Sequence, residues 1–374
     1  MKDTVLNLDF TEQAVFALRA LYNRYGYAQY KMSKFEEYDL YARNKDFLIS
    51  DSIITFTDRN GKLMALKPDV TLSIVKNTAH RPAGLQKLYY NENVYRVSKG
   101  TRAFREIMQV GLEAMGDVDR YCIMEVLLLA AESLNCISEN AILDVSHLGL
   151  LSEFLESIGI PPAQTGRVLQ YMGEKNLHDL STACCSYGIS DENIQLLTRL
   201  AALSGPIREA LPQAEALLNG KVNSRTLAEY AQILSALADT DAGSRLHLDF
   251  SVVDDLHYYN GIVFKGFIHG LPTAVLSGGQ YDRLLTKMGR KDRAIGFALY
   301  MDQIERLVSS SVEYDVDTVL LYEADADLKI LQSQVTALGN RGSILAVQNK
   351  PENLSYRRLM KLQGSEVTEL ENNA

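Results

Sequence analysis

Two neighbouring segments with strand-like sequence constrain the fold of this chain more than any other feature. Residues 87–97 and 105–115 both have the alternation typical of long strands, and a polar, basic loop at 98–102 joins them. Consecutive strands that are joined by a short loop usually pair antiparallel. The sequence therefore predicts a long antiparallel hairpin.

The second of these strands has two unlike faces, because successive side chains of a strand point to opposite sides. The apolar face, typical of a core, comprises Met108, Val110, Leu112 and Ala114. On the other face Gln109 and Glu113 flank Gly111 and stand about 13 Å apart along the strand. A small polar ligand could lie across the glycine, since a missing side chain allows close approach. A solvated sheet face has the same alternation, and the strand alone favours that simpler interpretation.

A second polar feature combines two tyrosines with two glycines. Tyr258 and Tyr259 precede a predicted hairpin, and Gly278 and Gly279 are predicted to form the turn between a strand and the next helix. Paired glycines allow a backbone to approach a ligand closely. Tyrosines offer both a stacking surface and a hydroxyl group. Tyrosine pairs are also common in cores, so neither signal is strong by itself.

The remaining segments predict the domain organisation. Residues from about 147 to 244 are helical almost throughout and separate two groups of strand-like segments, which indicates an inserted helical subdomain. The end of the chain alternates strand, helix and strand. We predict an α+β fold in which an antiparallel sheet flanked by helices occupies residues 1–310. A small α/β unit at 311–374 follows it.

Composition restricts the classes of function. The net charge is −9 and the sequence pI is about 5.3, whereas proteins that bind tRNA usually carry a clustered basic surface. The four cysteines lack the paired spacing of a zinc site. No segment approaches the ~20 apolar residues that a membrane span requires. We therefore expect a cytoplasmic protein without metal or cofactor, and no membrane partner.

Five segments, in this order, resemble the signature motifs of the histidyl-tRNA synthetase family, whose members share the class II synthetase fold. The segments are 66–71 (L-K-P-D-V-T), 94–96 with 105–113 (motif 2), 253–261 (the tyrosine signature), 276–284 (the glycine signature) and 294–298 (motif 3). The resemblance covers about residues 10–310 and has the helical insertion in the expected place. Motif 1 is faint, because the usual proline after Gly26 is absent.

The resemblance implies a pocket for free histidine. Its residues would be Asp69, Thr71, Arg96, Gln109, Glu113, Tyr258 and Tyr259. In the family pattern Asp69 faces the amine, Gln109 lies on the carboxylate side and Glu113 on the imidazole side. A carboxylate suits imidazole, because the ring donates an N–H and its protonated form is stabilised by a negative neighbour.

The nucleotide chemistry of the family does not carry over. Adenylate formation depends on cations around the α-phosphate, but Asp254 stands where the family has an arginine. No arginine or lysine occurs between residues 251 and 260. Ser98 replaces the glutamate of motif 2, and Gln303 replaces the arginine of motif 3 in an ungapped comparison. Asp254 is the strongest of these indications that the chain does not activate histidine.

The end of the chain agrees with this interpretation. The family ends in an anticodon-binding domain, and residues 311–374 are too few for a complete one. They carry 6 basic and 10 acidic residues. An acidic unit of this size is a poor candidate for binding RNA.

With a histidine pocket and no ATP site, the chain resembles the regulatory subunits of ATP phosphoribosyltransferase, which acts first in histidine biosynthesis. That resemblance implies a short catalytic subunit as partner, a dimeric core, histidine feedback inhibition, no bound tRNA and no catalysis by the chain itself. The alternatives are a divergent, active histidyl-tRNA synthetase and a stand-alone module for amino-acid binding or tRNA mimicry that serves another partner, such as a translation regulator.

Overall fold

The computed structural model describes most of the chain. The described residues are 8–48, 53–78, 84–97, 103–253, 258–307 and 314–373. They form two compact units, one of residues 14–307 and one that combines residues 8–13 with residues 314–373. The predicted domain boundary at residue 310, and the helical insertion as a subdomain, remain predictions.

The described strands of the larger unit form two sheets. In chain order the strands are β1 (Ala28–Gln29), β2 (Phe35–Glu37), β3 (Thr55–Thr57), β4 (Leu63–Leu66), β5 (Gln86–Val97), β6 (Phe104–Gly116), β7 (Ala141–His147), β8 (Ser204–Pro206), β9 (Leu246–Asp249), β10 (Ile262–Ile268), β11 (Leu276–Gln280) and β12 (Arg293–Tyr300). The large sheet has the order β1-β5-β6-β12-β11-β10-β7-β9-β8, and the small sheet has the order β2-β4-β3. In the large sheet β1 pairs parallel with β5, and β7 with β9, while its other described pairs are antiparallel.

The predicted hairpin is confirmed. Strands β5 and β6 pair antiparallel along their whole length, from Gln86 opposite Met115 to Val97 opposite Phe104. The connecting loop at 98–102 lies outside the described residues. The hairpin places the polar face of β6 in the middle of a large sheet, where neighbouring elements can cover it.

Helices are interspersed with the strands along the chain. In chain order they are α1 (Phe10–Arg24), α2 (Tyr38–Arg43), α3 (Thr71–Thr78), α4 (Arg120–Asn135), α5 (Leu148–Ser157), α6 (Pro162–Gly173), α7 (Leu177–Ser186), α8 (Asp191–Ala202), α9 (Ile207–Leu218), α10 (Ser224–Ala238), α11 (Asp282–Lys287), α12 (Met301–Ile304) and α13 (Leu328–Gly339). Short 3-10 helices occupy Lys45–Phe47, Asp241–Arg245 and Glu305–Leu307.

Helix α4 covers one face of the large sheet. Its first turn is capped by the carboxylate of Asp119, which accepts a hydrogen bond from the backbone N–H of Cys122 at 2.8 Å. A side chain at Gly266 would approach Leu134 of α4 to 2.7 Å, so the helix lies directly against β10. The neighbouring residue Lys265 therefore points to the opposite face.

The predicted turn at Gly278 and Gly279 is wrong, because both residues lie inside β11. A Cβ atom at Gly278 would come within 2.4 Å of the carbonyl oxygen of Gly296. At Gly279 it would come within 2.7 Å of the Tyr259 ring. The glycines are required by close packing on the sheet, which is a common reason for glycine inside a strand.

The smaller unit contains a four-stranded sheet. Its strands are β13 (Val316–Leu321), β14 (Ile344–Val347), β15 (Tyr356–Gln363) and β16 (Glu366–Asn372). They lie in the order β14-β13-β15-β16, with β15 and β16 antiparallel and the other described pairs parallel. Helix α13 packs its apolar side on this sheet through Leu331.

Candidate functional site

A cavity of about 430 Å³ lies on the face of the large sheet that α4 leaves uncovered. The structure brings all seven residues of the predicted histidine pocket to its lining. These are Asp69, Thr71, Arg96, Gln109, Glu113, Tyr258 and Tyr259. They come from the start of α3, from β5 and β6, and from the segment before β10, so the fold joins residues that are far apart in the sequence.

Asp69 and Thr71 are held where α3 begins. The carboxylate of Asp69 accepts a hydrogen bond from the backbone N–H of Leu72 at 2.8 Å, which caps the first turn of the helix. The Arg96 guanidinium donates through Nε to the carbonyl oxygen of Pro68 at 3.0 Å. The segment is thus fixed both by its own helix and by β5.

A buried ion pair supports the same segment. Lys67 is completely inaccessible to solvent, and its Nζ lies 2.9 Å from Oε2 of Glu92 on β5. Glu92 in turn faces Gln109 in the register of β5 and β6. The pair links the turn before α3 to the strand that carries Gln109.

Glu113 lies at the centre of the polar lining and is only 2% exposed. Its carboxylate accepts hydrogen bonds from the Thr71 hydroxyl at 2.7 Å and from the Tyr281 hydroxyl at 2.5 Å. Burial raises the pKa of Glu113 to about 8, the two hydroxyl donors oppose this shift, and the charge of Asp69 adds to it. Glu113 therefore takes up a proton more readily than an ordinary carboxyl group, and a nearby cation would favour its charged form.

The pKa of Asp69 is shifted in the same direction as that of Glu113. Burial raises its pKa above the usual range, while the Leu72 N–H and the charges of Arg96 and Lys67 act against the rise. Among the described residues, no lysine, arginine or histidine forms an ion pair with Asp69 or Glu113. Two buried carboxyl groups at one end of a cavity form a site that favours a cationic ligand.

The simpler interpretation of β6 as a solvated face is wrong, because Gln109 is 3% exposed. The expectation that a ligand lies directly across Gly111 also needs correction. A Cβ atom at Gly111 would come within 2.5 Å of the Tyr90 hydroxyl, so the Tyr90 side chain occupies the space above the glycine. A ligand placed between Gln109 and Glu113 would therefore contact Tyr90 and not Gly111.

Four aromatic residues form a wall of the cavity. The Tyr258 ring lies 4.6 Å from that of Tyr259, 6.0 Å from that of Tyr281 and 6.0 Å from that of Phe47, measured between centroids. Tyr281 and Phe47 were not predicted as site residues. Tyr281 lies within the glycine signature, which was a usable signal, whereas Phe47 belongs to a short 3-10 helix and has no sequence signal.

Gly296 was not predicted as a site residue, although it lies within the segment 294–298 that resembles motif 3. A Cβ atom at this position would come within 1.8 Å of Oε2 of Glu113. The glycine faces Glu113 in the register of β6 and β12. It therefore leaves the space that the carboxylate occupies.

The predicted substitutions in the nucleotide site are only partly visible. Asp254, Asp255 and Ser98 lie outside the described residues. Gln303 lies on α12, where its side-chain carbonyl accepts a hydrogen bond from the Thr273 hydroxyl at 3.2 Å. The proposed loss of adenylate chemistry thus remains a prediction.

The described residues offer no metal centre and no membrane span. Among them, no three His, Cys, Asp or Glu side chains are arranged to hold a metal ion. The four cysteines are free thiols. No helix in the described part of the chain is long and apolar enough to cross a bilayer.

Comparisons with known proteins agree on one family. The family model of histidyl-tRNA synthetase matches residues 8–304. The ATP phosphoribosyltransferase regulatory subunit of Clostridium kluyveri is 26% identical over 350 residues, which cover 91% of this chain and 89% of the relative. A Bacillus halodurans structure, described as an ATP phosphoribosyltransferase regulatory subunit/histidyl-tRNA synthetase, has a TM-score of 0.75 at 24% identity and covers 92% of this chain and 90% of that one.

A chain of the ATP phosphoribosyltransferase complex of Thermotoga maritima also has this fold, with a TM-score of 0.62 at 19% identity over 79% of this chain and 98% of that one. The likeness to these structures confirms the predicted α+β, class II synthetase-like fold. The family match extends from Leu8 to Ile304, the last residue of α12. It includes every residue that lines the cavity. The chain therefore belongs to the histidyl-tRNA synthetase family.

Proposed function

We propose that this chain is the non-catalytic regulatory subunit of an ATP phosphoribosyltransferase, the first enzyme of histidine biosynthesis. It associates with a short catalytic subunit and mediates feedback inhibition by free histidine. Relatives that match most of the chain carry this name. One structure of the same fold comes from a complex of this transferase. The single observation that carries the proposal is the convergence of all seven predicted residues on one cavity.

Histidine suits this cavity because it supplies the charge that the cavity lacks. Its ammonium group lies at Asp69 and its ring at Glu113, where the protonated imidazole stabilises the carboxylate. The tyrosine wall of Tyr258 and Tyr259 packs on the ring. Gln109 offers an amide donor to the α-carboxylate. The affinity expected for a metabolite sensor is in the micromolar to millimolar range, about −4 to −8 kcal/mol.

The chain does not activate histidine in this proposal. Asp254 replaces the cation that would face the α-phosphate, and the loss of one such group alone costs about 10²–10³ in rate. The acidic end of the chain makes tRNA an unsuitable partner. We further propose a cytoplasmic protein that dimerises through its synthetase-like core, with α1 and the segment after Gly26 at the two-fold interface.

The proposal is tested by reconstitution with a short ATP phosphoribosyltransferase subunit. The purified chain should bind that subunit, raise its transferase activity and make it sensitive to histidine. The chain alone should not exchange pyrophosphate into ATP when histidine is added. Histidine-dependent exchange would identify an active synthetase instead, and failure to bind the catalytic subunit would favour a module that serves another partner.

A further inference from the structure

Three consecutive helices, α5, α6 and α7, end in the same way, but one of them uses an unusual residue. After each helix a residue with positive φ follows, and the next residue donates a backbone hydrogen bond to the carbonyl five positions earlier. The residue with positive φ is Gly159 after α5 and Gly188 after α7, whereas after α6 it is Lys175, with φ at +51°. Glycine is the usual residue here, because a side chain makes this conformation unfavourable. Lys175 is the one non-glycine residue with positive φ in the described part of the chain, which indicates a function for its side chain.

The side chain of Lys175 forms an ion pair with a buried carboxylate. Its Nζ atom lies 2.7 Å from Oδ2 of Asp249, the last residue of β9. Half of the lysine side chain is exposed, but only 7% of the Asp249 side chain is. A buried carboxylate that loses its cation is strongly destabilising. The ion pair therefore attaches the end of α6 to the large sheet.

The same carboxylate holds the chain that leads to the tyrosine wall. Its other oxygen, Oδ1, accepts a hydrogen bond from the backbone N–H of Ser251 at 2.8 Å. The carbonyl oxygen of Asp249 accepts another from the N–H of Val252 at 3.1 Å. Tyr258 follows after residues 254–257, which lie outside the described residues. Asp249 thus binds the helical insertion with one oxygen and the start of this segment with the other.

Two further contacts attach the segment to the helical insertion. A Cβ atom at Gly173, the last residue of α6, would come within 2.7 Å of Cγ2 of Val253. The glycine therefore allows the helix to lie directly against the segment. On the other side of the tyrosines, the N–H of Leu148, the first residue of α5, donates to the carbonyl oxygen of Gly261 at 2.9 Å. The tyrosine wall thus lies between two attachments to the helical insertion.

We propose that Lys175 is a positioning residue for the histidine site, which acts through Asp249 to hold the tyrosine wall in the orientation that binds the imidazole. The inference rests on the proposed function, because it concerns the same pocket. Neither Lys175 nor Asp249 lines the cavity, so the effect reaches the ligand through the segment between them and the wall. The helical insertion is then part of the histidine sensor, and whatever moves α6 relative to β9 changes the affinity for histidine.

Calorimetry with L-histidine on the full-length chain tests this role with two variants of one residue. Lys175→Met removes the charge but keeps the aliphatic stem and the unfavourable φ, and it should weaken binding by about three- to tenfold. Lys175→Gly removes the charge and the backbone strain together. It should weaken binding by the same factor, although its Tm should be higher than that of Lys175→Met. Arg208→Met removes another ion pair of the insertion, formed with Asp239 at 2.8 Å, and should leave the affinity as it is in the wild type.

A double variant shows whether Lys175 acts through Asp249. Asp249→Asn removes the charge but keeps an oxygen that can accept from the Ser251 N–H, and it should also weaken binding of L-histidine. Adding Lys175→Met to this chain should have little further effect, because both changes remove the same ion pair. An effect of Lys175→Met that persists in full beside Asp249→Asn would contradict the proposed connection.

The proposal is overturned if Lys175→Met binds L-histidine as tightly as the wild type. It is also overturned if Lys175→Gly recovers wild-type affinity, because the lysine would then matter only for the end of α6. Normal binding by the wild type and by every variant would leave the proposed function intact. Absence of L-histidine binding to the wild type would overturn the histidine pocket itself, so the two failures are distinguishable.

Discussion

The part of the cavity lined by Asp69, Thr71 and Glu113, here called the carboxylate end, holds its charges differently from the sheet of the smaller unit. Glu113 is buried and accepts hydrogen bonds from two hydroxyls, without an ionic partner among the described residues. In the smaller unit Lys350 pairs with Glu371 at 2.6 Å, and both side chains are exposed. Exposed pairs contribute little, whereas a buried carboxyl group without a counter-ion destabilises the fold. The difference indicates that the first region is arranged for a ligand and the second for solvent.

The largest effect should come from Glu113→Gln, which keeps the volume and removes the charge beside the imidazole. The loss of one charge-assisted hydrogen bond costs about 1.5–3 kcal/mol, so affinity for L-histidine should fall about tenfold or more. Titration calorimetry measures the dissociation constant of L-histidine for each chain. Glu371→Gln makes the same change in the exposed pair and should leave the affinity as it is in the wild type. Equal affinities in wild type and Glu113→Gln would show that Glu113 does not contact the ligand.

Tyr281→Phe should have a smaller effect on the same measurement. The Tyr281 hydroxyl donates to Glu113 at 2.5 Å and stabilises the carboxylate form that the cationic ring requires. Removing one such donor should weaken histidine binding by about three- to tenfold. It should also raise the pKa of Glu113 further. A variant with wild-type affinity at every pH would contradict this role of Tyr281.

The next prediction concerns the free energy of unfolding, which should depend on pH because of the buried Glu113 at the carboxylate end. The pKa of Glu113 is about 8 in the folded chain and about 4.5 when unfolded, so between these values the folded state binds more protons. Stability should therefore fall as pH rises from about 5 to 8. Thermal unfolding of wild type and Glu113→Gln gives the test as a difference. The difference in free energy of unfolding between Glu113→Gln and the wild type should increase in favour of the variant as pH rises, and it should decrease when histidine is bound. A difference that does not change with pH would argue against the raised pKa.

The smallest effect should follow from Lys350→Ala in the smaller unit. The exposed pair with Glu371 is screened by water and salt. Unfolding of the variant should differ only slightly from that of the wild type at low salt and not at all at high salt. Histidine affinity should not change. A large loss of stability would show that surface charge in this unit matters more than its exposure indicates.

The sequence predicted the parts of the site that lie on one strand or in one motif. Period-two alternation placed Gln109 and Glu113 on the same face of β6, and the resemblance supplied Asp69 and Thr71. The sequence did not predict that Tyr90 fills the space above Gly111. That contact depends on the pairing of β5 with β6, which brings the tyrosine opposite the glycine, and on the rotamer that the Tyr90 side chain adopts.

Other errors have the same origin. The role of Gly296 depends on its pairing with Glu113, a residue far away in the chain, and no local pattern contains that information. The strands β15 and β16 were not predicted, because their many charged residues face solvent and leave little apolar alternation. Strand β15 depends on its pairing with β13, and β16 depends on its pairing with β15. Local patterns specify faces and caps, while contacts between distant strands decide which side chains share a cavity.

Feedback inhibition of the reconstituted complex tests the central claim most directly. The concentration of L-histidine that halves transferase activity should be measured with wild type and with Glu113→Gln, beside the dissociation constant of each chain. If the carboxylate end senses histidine, the inhibitory concentration should rise by about the same factor as the dissociation constant, tenfold or more. An unchanged inhibitory concentration together with weakened binding would contradict the account, because histidine would then act at another site.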